Sequence, residues 1–187
     1  LHSQIDSIKN EEKSRDACSS LFNEGIPFTA DRFAHHIEKD NFEICQRFVD
    51  AGININCRTE DGTPMLNVAI RSEQNRMVEW LLSQNVDIDA VSNDRGYSAV
   101  MDAVWKNNYE LTKTLVERGA NLNFIGRDGQ SVLVLAVGAG KLNICQLLAD
   151  SGADPDIKDQ MGMSAYGYAK LFNRTDIVEA LEKHHKE

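Results

Sequence analysis

Gly62, Gly96, Gly129 and Gly162 stand 34, 33 and 33 residues apart, and seven residues after each comes an alanine: Ala69, Ala103, Ala136 and Ala169. A second column, Gly52, Asn85, Gly119 and Gly152, keeps nearly the same interval, and asparagine is the common residue besides glycine that tolerates the left-handed conformation ending a helix. A period near 33 residues carried by two columns marks a stacked repeat. Such a stack buries apolar faces between units and leaves one extended surface for binding, with no cleft that must be a reaction site.

Between the columns each unit reads as a turn, a short helix holding the alanine, a second helix, then the glycine. The second helices carry Ile44, Met77, Leu111, Ile144 and Ile177 and, four residues later, Phe48, Leu81, Leu115, Leu148 and Leu181. That spacing sets both columns on one helix face. The first helices contribute Phe33, Leu66, Val100, Leu133 and Tyr166, with the small alanine slot three residues on admitting close approach of a neighbour. Ser98, Ser131 and Ser164 precede these by two residues and are predicted N-caps. The Asx residues of Ile55-Asn56, Ile88-Asp89, Leu122-Asn123 and Pro155-Asp156 suit tight turns rather than a metal site. From Asn85 to Gly96 is one residue longer than from Gly119 to Gly129, which predicts a longer projection around Asn93, Asp94 and Arg95.

The ends are atypical. Thr29 takes the glycine slot of the first repeat as a helix cap, Phe28 and Phe33 are placed for a hydrophobic staple, and His36 occupies the alanine slot. Residues 9–25 match only a second helix through Ala17, Cys18, Leu21, Phe22 and Gly25, as expected of a terminal half-repeat with one face in water. Glu179, Glu182, Lys183, His184, His185, Lys186 and Glu187 make the last helix polar. The chain opens at Leu1 with no charged-then-apolar leader, which reads as a trimmed start.

Cys18, Cys45 and Cys145 each fall seven residues before a glycine, in the slot held by Val78 and Val178 elsewhere, and read as small core hydrophobes. Stacked helices lie about 8–10 Å apart, so Cys45 and Cys145, three repeats apart, exceed the ~7 Å reach of a disulfide. With Cys57 in a connecting loop, four free thiols point to a reducing, cytoplasmic compartment. A net charge of −9 opposes binding to duplex nucleic acid or an anionic membrane. The longest uncharged run, residues 129–140, has 12 residues, against the roughly 20 a membrane helix needs.

The 33-residue unit, the Asp61-Gly62 opening, the fixed alanine and the endings Gly119-Ala120-Asn121 and Gly152-Ala153-Asp154 resemble ankyrin repeats over residues 26–187. The resemblance implies an all-α solenoid of about five helix-turn-helix repeats (26–57, 58–90, 91–124, 125–157 and 158–187) after an N-terminal capping helix in residues 1–25. The chain departs from the family's Thr-Pro-Leu-His-x-Ala signature. In register it has Pro64-Met65-Leu66-Asn67, Ser98-Ala99-Val100-Met101, Ser131-Val132-Leu133-Val134 and Ser164-Ala165-Tyr166-Gly167, so the histidine is missing throughout.

Reaction chemistry finds no foothold. Gly138-Ala139-Gly140-Lys141 lacks the first glycine and the Ser or Thr of a phosphate loop, having Leu135 and Leu142 there. His35-His36 and His184-His185 are adjacent pairs whose rings diverge on a helix, and Asp154, Asp156 and Asp159 lack the alternation and distal glutamate of an EF-hand. No catalytic residue, cofactor or metal is expected.

The resemblance instead implies a partner protein bound at turn tips and along the groove side of the first helices of a monomeric array. Tip candidates are Arg95, Tyr97, Arg127, Gln130, Met161 and Met163; groove candidates are Arg71, Trp105, Lys106, Gly138, Leu171 and Phe172. Trp105 and Leu171 are expected to flank a notch over Gly138, whereas Trp80 reads as packing. The competing class is a structural or inhibitory segment that faces other parts of a larger polypeptide.

Overall fold

The computed structural model describes residues 2–186 and divides into two compact units, Leu1–Asp87 and Ile88–Glu187. The first unit holds α1 (His2–Asn23), α2 (Ala30–Glu38), α3 (Phe42–Asp50), α4 (Met65–Arg71) and α5 (Asn75–Leu82). The second holds α6 (Ala99–Trp105), α7 (Tyr109–Glu117), α8 (Val132–Ala139), α9 (Leu142–Asp150), α10 (Ala165–Leu171) and α11 (Thr175–Glu182). The predicted all-α class is what the described residues show, with β structure confined to isolated bridges at Arg58–Pro64 and Lys158–Ser164.

Helices pair in sequence and then stack. In the first unit α2 packs on α3 and α4, α4 on α5, and α1 on α3. In the second, α6, α8 and α10 form one layer and α7, α9 and α11 the other. Of the two apolar columns of the second helices, Phe48, Leu81, Leu115, Leu148 and Leu181 have no exposed surface, and Met77, Leu111, Ile144 and Ile177 are buried beside them, whereas Ile44 is only half-buried because Cys45 takes the interior position of α3. The alanines Ala69, Ala103, Ala136 and Ala169 are likewise fully buried. Trp80 packs edge-on to Phe33 and Phe42 with its indole N–H donated to Gln46, 3.3 Å away.

Turn residues hold the repeats in register through side-chain oxygens. Asn54, Asn121 and Asp154 each accept the amide two residues on, at 2.9 Å, closing their own turn. The predicted Asx column works across repeats instead: Asn56 accepts the Asp87 amide, Asp89 that of Asn121, Asn123 that of Asp154 and Asp156 that of Lys186. The longer projection is also present. Tip pairing spans residues 59/63, 126/130 and 159/163 but 92/97 at the extra residue, and Arg127 donates to the Asn93 and Asp94 carbonyls beside it.

Three local expectations change. Ser131 and Ser164 cap α8 and α10 and Thr29 caps α2, but the Ser98 hydroxyl is buried without a hydrogen bond. Backbone at Ser98 is extended like that of its sisters (φ −77°, ψ 170°), so side-chain rotation alone makes the difference. The Phe28–Phe33 staple is bridged by Phe48, whose ring lies 5.5 Å from one and 5.3 Å from the other. Cys18 is exposed rather than core, because Ala17 and Leu21 take the buried stripe of α1 and one residue along a helix turns the side chain by roughly 100°.

Truncating Leu115 or Leu148 to alanine is expected to lower unfolding free energy by about 2–5 kcal/mol, measured by urea denaturation; a loss below about 0.5 kcal/mol would misplace the core face. The thiols should separate by rate. Burial pushes the thiols of Cys45 and Cys145 up to about 12, so almost none of either is thiolate at neutral pH. A disulfide reagent applied to native protein should label exposed Cys18 first and these two only after denaturation.

Candidate functional site

The second unit carries a groove of about 630 Å³ on its first-helix side, lined by residues of the tip loops and of α6, α8 and α10. Its floor is the C-terminal part of α8. Positions three apart on a helix share a face, so Leu135 and Gly138 point the same way, and Ala139 extends the floor. A β-carbon built at Gly138 would meet nothing within 4 Å, which makes this position open space rather than a packing necessity.

One wall is Trp105 at the end of α6 with Tyr97 from the preceding loop, ring centroids 6.2 Å apart. Trp105 is 59% exposed, which rules out ordinary core packing for its ring. The Arg95 guanidinium lies over that indole at 5.8 Å and 3.8 Å from the carboxylate of Asp102, a buried residue one turn earlier on α6. Burial pushes the Tyr97 phenol above its ordinary value, with Arg95 acting against the rise.

The opposite wall is Tyr168 stacked on Phe172, centroids 5.8 Å apart at positions four apart on α10 and its cap. Tyr168 donates its hydroxyl to Asp159, and the Asp159 side chain also accepts the amides of Met161 and Met163. The Tyr168 hydrogen bond, followed by the Met163 amide, holds the Asp159 carboxyl below the ordinary carboxylate range, and the same bond raises the phenol. The wall and its tip loop are therefore tied together by one carboxylate.

Of the residues singled out in the sequence, Tyr97, Trp105, Gln130, Gly138 and Phe172 line this groove, and Arg95 covers Trp105 from outside. Leu171 is exposed but is not among the lining residues; its expected place as the second flank is taken by Phe172 and Tyr168, whose stack faces the floor. Lys106 and Met161 are exposed and Met163 is half-buried, all outside the lining. Arg127 braces the long tip. Arg71 lies in the first unit, in a separate polar pocket of about 330 Å³ with Asp31, Glu38, Glu60 and Asp61.

Sequence reading missed Tyr168, Leu135, Val134 and Asp102. A signal was present: Val68, Asp102, Leu135 and Tyr168 all stand six residues after a turn glycine, one helical turn before the column of Arg71, Trp105, Gly138 and Leu171. The histidine pair at the C-terminal end serves structural contacts, His184 with Asp150 at 2.9 Å and His185 with Asp156 at 2.5 Å, the latter ring stacked on Tyr166 at 4.0 Å.

Because the folded-state pKa of Asp159 is lowered, its contribution is present above the unfolded carboxylate range and is lost as pH falls through the folded value. Tyr168→Phe should bring the Asp159 carboxyl up toward the ordinary range in an NMR side-chain titration. An unchanged titration would show that the amides, not the phenol, dominate.

Similarity to known proteins agrees with this architecture. The family model for ankyrin repeats in three copies matches residues 33–126, and the single ankyrin-repeat model matches residues 128–160. An ankyrin repeat-containing protein of Treponema pallidum (strain Nichols) is 38% identical over 163 residues, covering 87% of this chain and 55% of its own length. The B-cell lymphoma 3 protein homolog of Mus musculus is 34% identical over 107 residues, 57% of this chain and 24% of the relative. The 26S proteasome regulatory subunit p28 of Saccharomyces cerevisiae is 28% identical over 128 residues, 66% of this chain and 56% of the relative. This chain thus spans about half of the Treponema relative's length and about a quarter of the lymphoma homolog's. Repeat spacing, buried alanine column, paired helices and matched family models together place the chain in the ankyrin-repeat family.

Proposed function

We propose that this protein is a non-enzymatic binding module that holds a partner protein in the groove of its second unit and at the adjoining turn tips. Ankyrin repeats generally mediate protein–protein interaction, and a place in a protein assembly fits a repeat type shared with a relative named as a regulatory subunit of the 26S proteasome. The observation that carries the reading is the pairing of two aromatic walls with an open floor. Trp105 and Phe172 keep 59% and 51% of their surface exposed beside a glycine whose missing side chain leaves free space. Exposed aromatics gathered around a concave apolar centre are the composition of an interface hot spot.

A bulky apolar side chain of the partner would enter between the walls and seat on Gly138 and Ala139. The gain comes from apolar area removed from water, about 25 cal/mol per Å², on a surface already shaped to receive it. A net charge of −9 argues for a protein rather than nucleic acid as the occupant.

Filling the floor tests this. With a partner isolated by pull-down on the intact chain, Gly138→Leu should weaken affinity about tenfold or more, the scale of losing a central anchor, as measured by calorimetry. Its melting temperature should hold or rise, since a glycine in the last turn of α8 is replaced where space is open. Tyr97→Ala should show a smaller loss. Full affinity in both Gly138→Leu and Trp105→Ala would move the interface off this groove.

A further inference from the structure

The groove lining contains no charged side chain, so discrimination among partners with an apolar anchor falls to the rim. Two of the acidic groups close to the lining are already engaged. Asp102 is buried and meets Arg95, and Asp159 holds the Tyr168 hydroxyl and two amides. A third, exposed Asp128, stands near Tyr97 on the turn-tip side, away from the helix ends.

The helix-end side is different. Lys106 follows Trp105 directly and is exposed, and Arg95, lying over the same indole, keeps 46% of its side chain in contact with solvent. In the first unit the corresponding positions are Arg71 and Ser72, and the pocket they line carries four carboxylates, Asp31, Glu38, Glu60 and Asp61. One repeat pattern has therefore produced an acidic polar pocket in one unit and an uncharged aromatic groove with a cationic shoulder in the other.

We infer that the second-unit groove, taken as the binding site proposed above, selects an extended peptide segment in which a bulky apolar side chain is accompanied by a carboxylate. The apolar group seats over Gly138, and the carboxylate meets Lys106 and Arg95 beside Trp105. The proposal places the acid about one or two residues from the anchor, because an extended chain advances about 3.3 Å per residue and only a near neighbour of the anchor stays beside the Trp105 wall that Lys106 follows. A rim pair of this kind adds little raw affinity but sets specificity and association rate, and it weakens with salt. An acidic segment is discriminated from a basic one because the basic one places like charge against Lys106 and Arg95.

Selection from a library of displayed random peptides on the intact immobilised chain tests this, with Lys106→Glu and Gly138→Leu proteins selected in parallel and checked by thermal melting. The expected result is enrichment of an apolar residue with Asp or Glu about one or two places away. Those peptides should be lost on Gly138→Leu and weakened roughly threefold to tenfold on Lys106→Glu, more at low salt. Lys106→Glu should itself enrich basic neighbours. Peptides lost on Gly138→Leu that show no acidic preference, or that are proline-rich and indifferent to Lys106→Glu, would overturn the inference while leaving the groove as the binding site. Binders indifferent to Gly138→Leu, or an absence of binders, would overturn both.

Discussion

Successive first helices can pack only as closely as the residue seven places after each turn glycine allows, and in four repeats that residue is an alanine with no exposed surface. The close contact of α8 with α6 and α10 in the second unit follows from it, as does the contiguous surface those helices present. Larger side chains would push the layer apart, because interiors are close-packed and added volume forces backbone shifts. The exception sits where the constraint relaxes. His36 occupies the slot in the first repeat, is only half-buried, and spends its ring nitrogen on Asn41 at 2.9 Å.

Close packing fixes distance but not register, and register comes from the turns. Each Asx oxygen that accepts an amide in the next repeat pins one turn against its neighbour. A neutral hydrogen bond contributes about 1 kcal/mol net, so this ladder matters less for total stability than for excluding slipped alternatives. Gly129 shows how tight the tips become: a β-carbon there would lie 2.8 Å from the Gln160 amide nitrogen, and its φ of +73° already disfavours other residues. Tip geometry in turn places Tyr97 and Gln130 at the groove mouth.

Much of the fold was readable because its signals are periodic. Apolar columns and left-handed glycines recur at one interval, and the structure puts them where that interval predicts. A third left-handed column went unread: Asp40, Glu73, Asn107, Gly140 and Asn173, between first and second helices, all have positive φ. Only one is glycine, and Asp and Glu there are ordinary enough to hide a backbone requirement. The Ser98 hydroxyl and Cys18 were misjudged for another reason, since rotamer choice and the facing of a terminal helix depend on neighbours that a repeat pattern does not specify. Within the groove, Trp105, Gly138 and Phe172 were legible from their column. Tyr168 was not, because its column also holds Val68 and Leu135 and so reads as core.

Exposed aromatic rings ordinarily lose conformational freedom on binding, at about 0.5–1.5 kcal/mol for each immobilised side chain. Here the walls are ordered beforehand. Trp105 has both the Arg95 guanidinium and the Tyr97 ring beside it, and Arg95 is in turn directed by the buried Asp102. Tyr168 is fixed at its hydroxyl by Asp159 and along its face by Phe172. Each wall thus combines an aromatic pair, tilted in one and stacked in the other, with a carboxylate that anchors it, the two carboxylates belonging to different parts of the repeat, one on a helix and one in a turn. The open volume above Gly138 needs no rearrangement to admit a side chain. In the binding role proposed for it, a groove so arranged would gain nearly the whole of the apolar burial on contact, which is the physical basis for expecting affinity to reside in a few residues around Gly138 rather than along the full surface of the repeats.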